Sequence, residues 1–177
     1  MAKRKSIRSD IGWSTATTIT VKGSDTMVIM AQRWAEAYMA DHTDVVIQVT
    51  GGGSGTGISA LINGATDICD ASRPMKSSER ESLKMRFSSL GVEVKSAKDG
   101  LSVYFNDANP VEGLTMAQLK DIYTGKIKNW KDVGGADAKI VVYGRENNSG
   151  TYVFFRDNVL KGEDYVSSMQ SLPGTAA

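Results

Sequence analysis

Two periods of apolar spacing alternate along this chain. Short β-branched runs at Ile19–Lys22, Val45–Thr50, Asp67–Cys69, Val92–Lys95, Leu101–Phe105 and Lys139–Tyr143 predict strands. Between them the period lengthens. Met27, Met30, Ala31, Trp34 and Tyr38 recur at i, i+3, i+4, i+7 and i+11, which predicts a first helix with one apolar stripe. A second helix is expected from Ser78 to Leu90, opened by Ser78 and Glu81 as a capping box and burying Leu83, Phe87 and Leu90. A third opens at Thr115, where Gln118 completes the reciprocal cap, and stops at Gly125. Two shorter helices, Ile58–Asn63 and Tyr152–Lys161, end at Gly64 and Gly162, residues suited to the left-handed position that closes a helix. Strands alternating with helices mark an α/β chain. The polar, turn-like stretch 96–100 is the expected crossing between two lobes. The expected layout is a polar, basic tail at 1–17, a first lobe at 18–98 and a second at 99–177.

Composition narrows the class. A chain of 177 residues suits one large domain or two small lobes. Its 41% hydrophobic and 23% charged content is that of a globular protein, not of a disordered, collagen-like or coiled-coil chain. No apolar run approaches the roughly 18 residues that a membrane span needs. Cys69 is the single cysteine, which excludes an internal disulfide, a CxxC pair and a Cys-rich zinc site. Its short apolar strand marks it as packing, not as a nucleophile. His42 is the single histidine, so an HExxH site is impossible and a Ser-His-Asp triad has no other base. It follows the first helix among Asp41, Thr43 and Asp44, as a solvated helix end would. The formal net charge is +1, but Lys3, Arg4, Lys5 and Arg8 all precede the first acid, Asp10. From residue 9 onward 17 basic residues face 20 acidic ones, a balance of −3. Nucleic acid wants a basic face, so it is not an expected partner. The basic start has the character of a signal n-region, yet Ile11–Thr18 is polar and supplies no apolar core to follow it. Either a natural signal has been replaced there, or the chain is not exported.

Four strand-to-helix junctions share one chemistry. They are Gly23-Ser24-Asp25-Thr26, the run from Gly51 to Gly57, Ala71-Ser72-Arg73-Pro74, and the run from Arg145 to Thr151. A helix N-terminus exposes unpaired N–H groups and a partial positive charge. Ser and Thr hydroxyls there can donate to a bound oxygen, and glycine lets an anion approach the backbone. Taken singly, each junction is equally an ordinary cap or turn. The second is harder to dismiss, because five glycines in seven positions weaken the chain with no evident folding gain. Nucleotide motifs fail in detail: Ile58, not Lys, follows Gly57, and the GxGxxA match at Gly55–Ala60 lies four residues beyond its strand. Tyr123 and Trp130 read as core packing.

These junctions, together with the Leu114–Trp130 segment, occur in the order found in one family. The chain resembles the periplasmic phosphate-binding proteins of ABC phosphate importers over about residues 18–177. The resemblance implies a two-lobed periplasmic-binding-protein fold of type II that closes on inorganic phosphate and delivers it to a membrane permease, with a periplasmic or cell-surface location and no cofactor or metal. It implies ligand contacts from Ser24, Asp25 and Thr26, from Ser54 and the backbone of Gly55, from Ser72 and Arg73, and from Arg145, Ser149, Gly150 and Thr151. Many members carry an Asp where Arg73 stands and an acid where Asn147 stands. The first departure leaves Asp25 or Asp70 to accept the ligand's proton, and the second removes a partner that would orient Arg145. Members also run well past residues 172–177, so the second lobe is expected to be incomplete, with an apolar face open to self-association. A phosphatase-like enzyme on the same fold is the rival reading, and binding of sulfate or molybdate is a third. Against an enzyme stands the absence of any histidine near a loop serine or of a metal-binding cluster in the sequence.

Overall fold

In the computed structural model, which describes residues 16–174, the β-branched stretch Thr17–Gly23 forms the central strand, β1. It pairs in parallel with β2 (Val45–Thr50) on one side and β3 (Ile68–Asp70) on the other, with Val21 opposite both Val49 and Ile68. Parallel neighbours require crossovers. The first is α1 (Val28–Asp41) and the second α2 (Ser54–Asn63). Val21 and Ile58 are buried between sheet and helix. The residues expected as a tail at 1–17 lie outside the described residues, except for Ala16 and for Thr17, which opens β1.

α2 starts four residues earlier than its apolar pattern suggests, because Gly55 and Gly57 lie inside it. A Cβ on Gly57 would stand 2.5 Å from the Cα of Gly23, so the glycine lets α2 lie directly on β1. In α1 the buried positions are Ala31 and Ala35, while Trp34 and Tyr38 are half-exposed along a wide apolar trough. The Tyr38 ring stacks on His42 at 4.1 Å, at the helix end. α3 (Ser77–Phe87) is entered through a different cap from the expected Ser78 and Glu81. Glu79 accepts from the Lys76 N–H at 2.7 Å, because Arg73 holds its carboxylate beside that turn. Leu83 is buried, but Phe87 and Leu90 are half-exposed.

The strands expected at Val92–Lys95 and Leu101–Phe105 do not form. β-Branched alternation makes a strand only where a neighbour offers a ladder, and none lies alongside among the described residues. Val92, Val94 and Tyr104 project to solvent instead. Order returns with α4 (Met116–Tyr123), whose Thr115 and Gln118 exchange both cap bonds as expected. A 3-10 turn at Trp130–Val133 follows, then β4 (Tyr143–Arg145), α5 (Gly150–Asn158) and β5 (Gln170–Leu172). β4 and β5 form a separate parallel pair, with Arg145 opposite Leu172. The strand read at Lys139–Tyr143 therefore shifts toward the C-terminus, leaving only an isolated bridge from Lys139 to Asn129. Two small cores, Ile122–Ile140–Val142 and Phe155–Val159–Leu160, share Tyr123 as a common neighbour, and Trp130 packs on the first.

Candidate functional site

The loops after β1, β2 and β3 touch the end of β4 and the start of α5 along a closed cleft, and four serine or glycine positions meet there. Ser24 enters α1 in a turn closed by Met27 N–H donating to its carbonyl at 3.0 Å. Its hydroxyl is 2.7 Å from Thr26 Oγ1 and donates to Ser72 Oγ at 3.1 Å. Ser54, the first residue of α2, lies 3.2 Å from the same Ser72 Oγ and accepts from the Ser72 N–H at 3.1 Å. From the other side of the cleft Gly150, the first residue of α5, packs so closely that a Cβ there would collide with the hydroxyls of both Ser54 and Ser72. Ser149 caps α5 by accepting from Thr151 N–H at 3.2 Å, which leaves its own hydroxyl proton to donate elsewhere. Ser24, Ser54 and Ser149 are almost wholly buried, at 2%, 0% and 3% exposure, so their hydroxyls serve the cleft and not bulk water.

The charged groups are arranged around this knot in two pairs. Arg145, at the end of β4, donates from Nη2 to Asp25 Oδ2 at 2.8 Å across the cleft. Asp25 Oδ1 accepts from Gly52 N–H, also at 2.8 Å. Both oxygens of Asp25 are thus oriented, one by the glycine loop and one by the end of β4. The second pair is Arg73 with Glu79, joined by two bonds of 2.8 and 2.9 Å, one to each carboxylate oxygen. Nη1 and Nη2 of Arg73 are engaged by Glu79 and the Pro74 carbonyl and so brace the entry to α3, while its buried Nε has no hydrogen-bond partner among the described residues. Hydrogen bonds from Arg73 hold the Glu79 carboxyl below its ordinary value, while burial pushes that of Asp70 up. Burial also pushes the Cys69 thiol up to about 11, as suits an inert packing residue. Among the described residues no three His, Cys, Asp or Glu side chains gather as a metal site.

Ser24, Thr26, Ser54, Ser72, Ser149, Gly150 and Thr151 therefore come together with Asp25 and Arg145, while Arg73 is engaged beside them. The N–H of Gly55 is already committed, donating to Asn148 O at 3.0 Å. Asn148 itself was not among the residues singled out from the sequence. It sits inside the fourth junction, and only its partners in the glycine run, nearly a hundred positions away, reveal its place.

The sequence signature of the PBP superfamily domain matches residues 10–175. The chain belongs to the PBP superfamily. Within that superfamily it is 38% identical over 149 residues to the phosphate-binding protein PstS of Staphylococcus epidermidis, covering 81% of this chain and 45% of that one. The PstS of Staphylococcus aureus strain USA300 is likewise 38% identical, over 145 residues, or 80% of this chain and 44% of its own length. The chain thus spans a little under half the length of these curated relatives. Among solved structures, a Clostridium perfringens ABC-transporter substrate-binding protein with bound phosphate superposes with a TM-score of 0.78 at 36% identity, over 90% of this chain and 63% of its own. An ABC-type phosphate transport receptor from Vibrio cholerae gives 0.67 at 33%, over 90% and 64%. The fold of this chain is the two-lobed α/β architecture of these proteins with the second lobe incomplete, and it covers a little under two thirds of each structure.

Proposed function

We propose that this chain binds inorganic phosphate in the hydroxyl-lined cleft, as the solute-binding part of an ABC phosphate importer, and does so without catalysing a reaction. The observation that carries the reading is the convergence of Ser24, Ser54, Ser72 and Gly150 on one buried point beside Arg145. A tetrahedral oxyanion placed there would take hydrogen bonds from Ser24, Thr26, Ser54 and Ser72 on one side and from Ser149 and the first turn of α5 on the other. Arg145 would add a charge-assisted bond, and Asp25 would accept the proton that phosphate carries near neutral pH. Arg73 supports the site by fixing the loop that carries Ser72. The names of the phosphate-binding relatives support the ligand class, and the proposed role in import carries with it a membrane permease as partner and a periplasmic or cell-surface location.

Calorimetric titration with phosphate, sulfate and molybdate tests the reading, alongside incubation with a chromogenic phosphomonoester. Saturable binding of phosphate in preference to the other two, without turnover of the ester, is expected. Arg145→Ala should lose about 2–4 kcal/mol of binding free energy, roughly 30- to 1000-fold in affinity. A chain that prefers sulfate or molybdate, or that binds phosphate equally well without Arg145, would overturn the assignment.

A further inference from the structure

One set of contacts across the cleft involves no hydroxyl and no charge. Asn148 Nδ2 donates to Gly52 O at 3.0 Å, and Asn148 O accepts from Gly55 N–H at 3.0 Å. A single residue of the loop before α5 thus ties down both shoulders of the loop before α2. The approach is close enough to account for glycines that an anion alone does not require. A Cβ on Gly53 would stand 2.7 Å from Asn148 O, and one on Gly55 would stand 3.3 Å from it. Gly53 also takes φ +87°, a left-handed value that favours glycine. The loop is therefore shaped to receive Asn148 as well as to bare its backbone.

We infer that Asn148 is a closure latch: it sets how much of the time the cleft is shut, through bonds that exist only when the two sides meet, and it does not select the ligand. The inference rests on the phosphate reading for its binding assay. Its bonds run to backbone groups of the opposite loop, whereas Asp25, Arg145 and the serines present the charge and hydroxyls. Apparent affinity is the intrinsic affinity reduced by the fraction of closed molecules. A latch residue consequently scales the affinity for every tetrahedral oxyanion by one factor and acts chiefly on dissociation, since leaving requires opening. A residue touching the ligand would change the ratio between ligands.

The test compares the parent chain with Asn148→Ala and Asn148→Asp, using phosphate and arsenate by calorimetry and dissociation rates by stopped flow. Asn148 is only partly buried, so both variants should fold. Removal of the side-chain bond should weaken both anions together, about 3- to 10-fold in Asn148→Ala. The effect should be larger in Asn148→Asp, where an oxygen would face the Gly52 carbonyl, and dissociation should quicken in parallel. Unchanged affinity, or different factors for the two anions, would overturn the inference. If the parent binds neither anion, the phosphate reading fails by itself. The latch is then decided by small-angle scattering of the same chains: a larger radius of gyration in Asn148→Ala supports it, and an unchanged one overturns it.

Discussion

Gly150→Ala places the smallest possible probe at the centre of the proposed site. The added Cβ would lie 2.6 Å from Ser54 Oγ and nearer still to Ser72 Oγ, with Ser72 Cβ at 3.3 Å. Both hydroxyls would have to turn aside, disturbing the bonds that Ser72 makes to Ser24 and Ser54, where Ser54 is fully buried. Gly150 does not have a left-handed φ, so alanine meets no backbone penalty there. As a better helix former it gains up to about 1 kcal/mol at the start of α5. Overpacking costs about 1–3 kcal/mol, so the net loss of stability should stay within roughly 3 kcal/mol. For a chain of this size that is a drop of no more than about 12 °C in Tm. Binding should suffer far more. If the methyl turns two hydroxyls away from the anion, each worth about 1.5–3 kcal/mol to a charged partner, the loss is about 3–6 kcal/mol, on the order of 100- to 10000-fold. Gly113→Ala is the matched control, since nothing lies within 4 Å of its Cβ. Calorimetry with phosphate and a thermal melt on the same samples give both numbers. A cooperatively folded Gly150→Ala chain that binds phosphate within about threefold of the parent would show that the anion does not sit among these hydroxyls.

Two further changes separate selectivity from stability. Asp25→Asn keeps an oxygen for the Gly52 N–H but loses the fixed proton acceptor, so sulfate should gain on phosphate by at least about tenfold in competition calorimetry; a variant that still excludes sulfate as before would assign selectivity elsewhere. Glu79→Gln breaks a bidentate pair whose side chains are only 10% and 21% exposed, so urea unfolding at pH 7 should show a loss of about 1–3 kcal/mol. Because the folded-state value of Glu79 is depressed, its contribution is complete above the ordinary carboxylate range and fades as pH falls through the lower folded value. The parent should therefore lose stability on acidification over that window, and the variant should lose less of it.

The parts of the fold legible in sequence are those decided by chemistry a few residues wide. β2 alternates between half-buried and exposed positions along its whole length, and Thr115 with Gln118 forms a cap from three residues' spacing. What escaped depends on partners far along the chain. Residues 92–105 have the composition of strands but meet no ladder among the described residues. The start of α2 was hidden because Gly55 and Gly57 resemble loop residues, and their reasons for being glycine are Asn148 and Gly23, which only the folded chain brings near. The junction serines stood out because Ser, Thr and Gly clustered at each strand end. The partner of Arg145 did not: the lost acid at Asn147 suggested an unoriented guanidinium, yet Asp25 supplies that orientation from across the cleft.

On the phosphate reading the ions of the site are already paired. Arg145 faces Asp25 and Arg73 faces Glu79, while burial raises the Asp70 carboxyl above its ordinary value. An entering oxyanion would thus meet cations already matched by carboxylates, and much of its attraction would come from oriented dipoles. The first residues of α2 and α5 both lie there, each helix start equivalent to roughly half a positive charge, and several hydroxyls can turn their protons inward. Hydroxyls adapt, donating or accepting as the ligand demands, so they bind oxyanions without telling protonated from unprotonated ones. Asp25 cannot adapt. Its two oxygens already accept from the Gly52 N–H and from Arg145, and on the phosphate reading it would penalise any ligand oxygen that arrives without a proton. Affinity on this view belongs to the dipoles and discrimination to one carboxylate. Because Asp25 is held partly by Arg145 from the far side, that discrimination would be complete only when the cleft is shut.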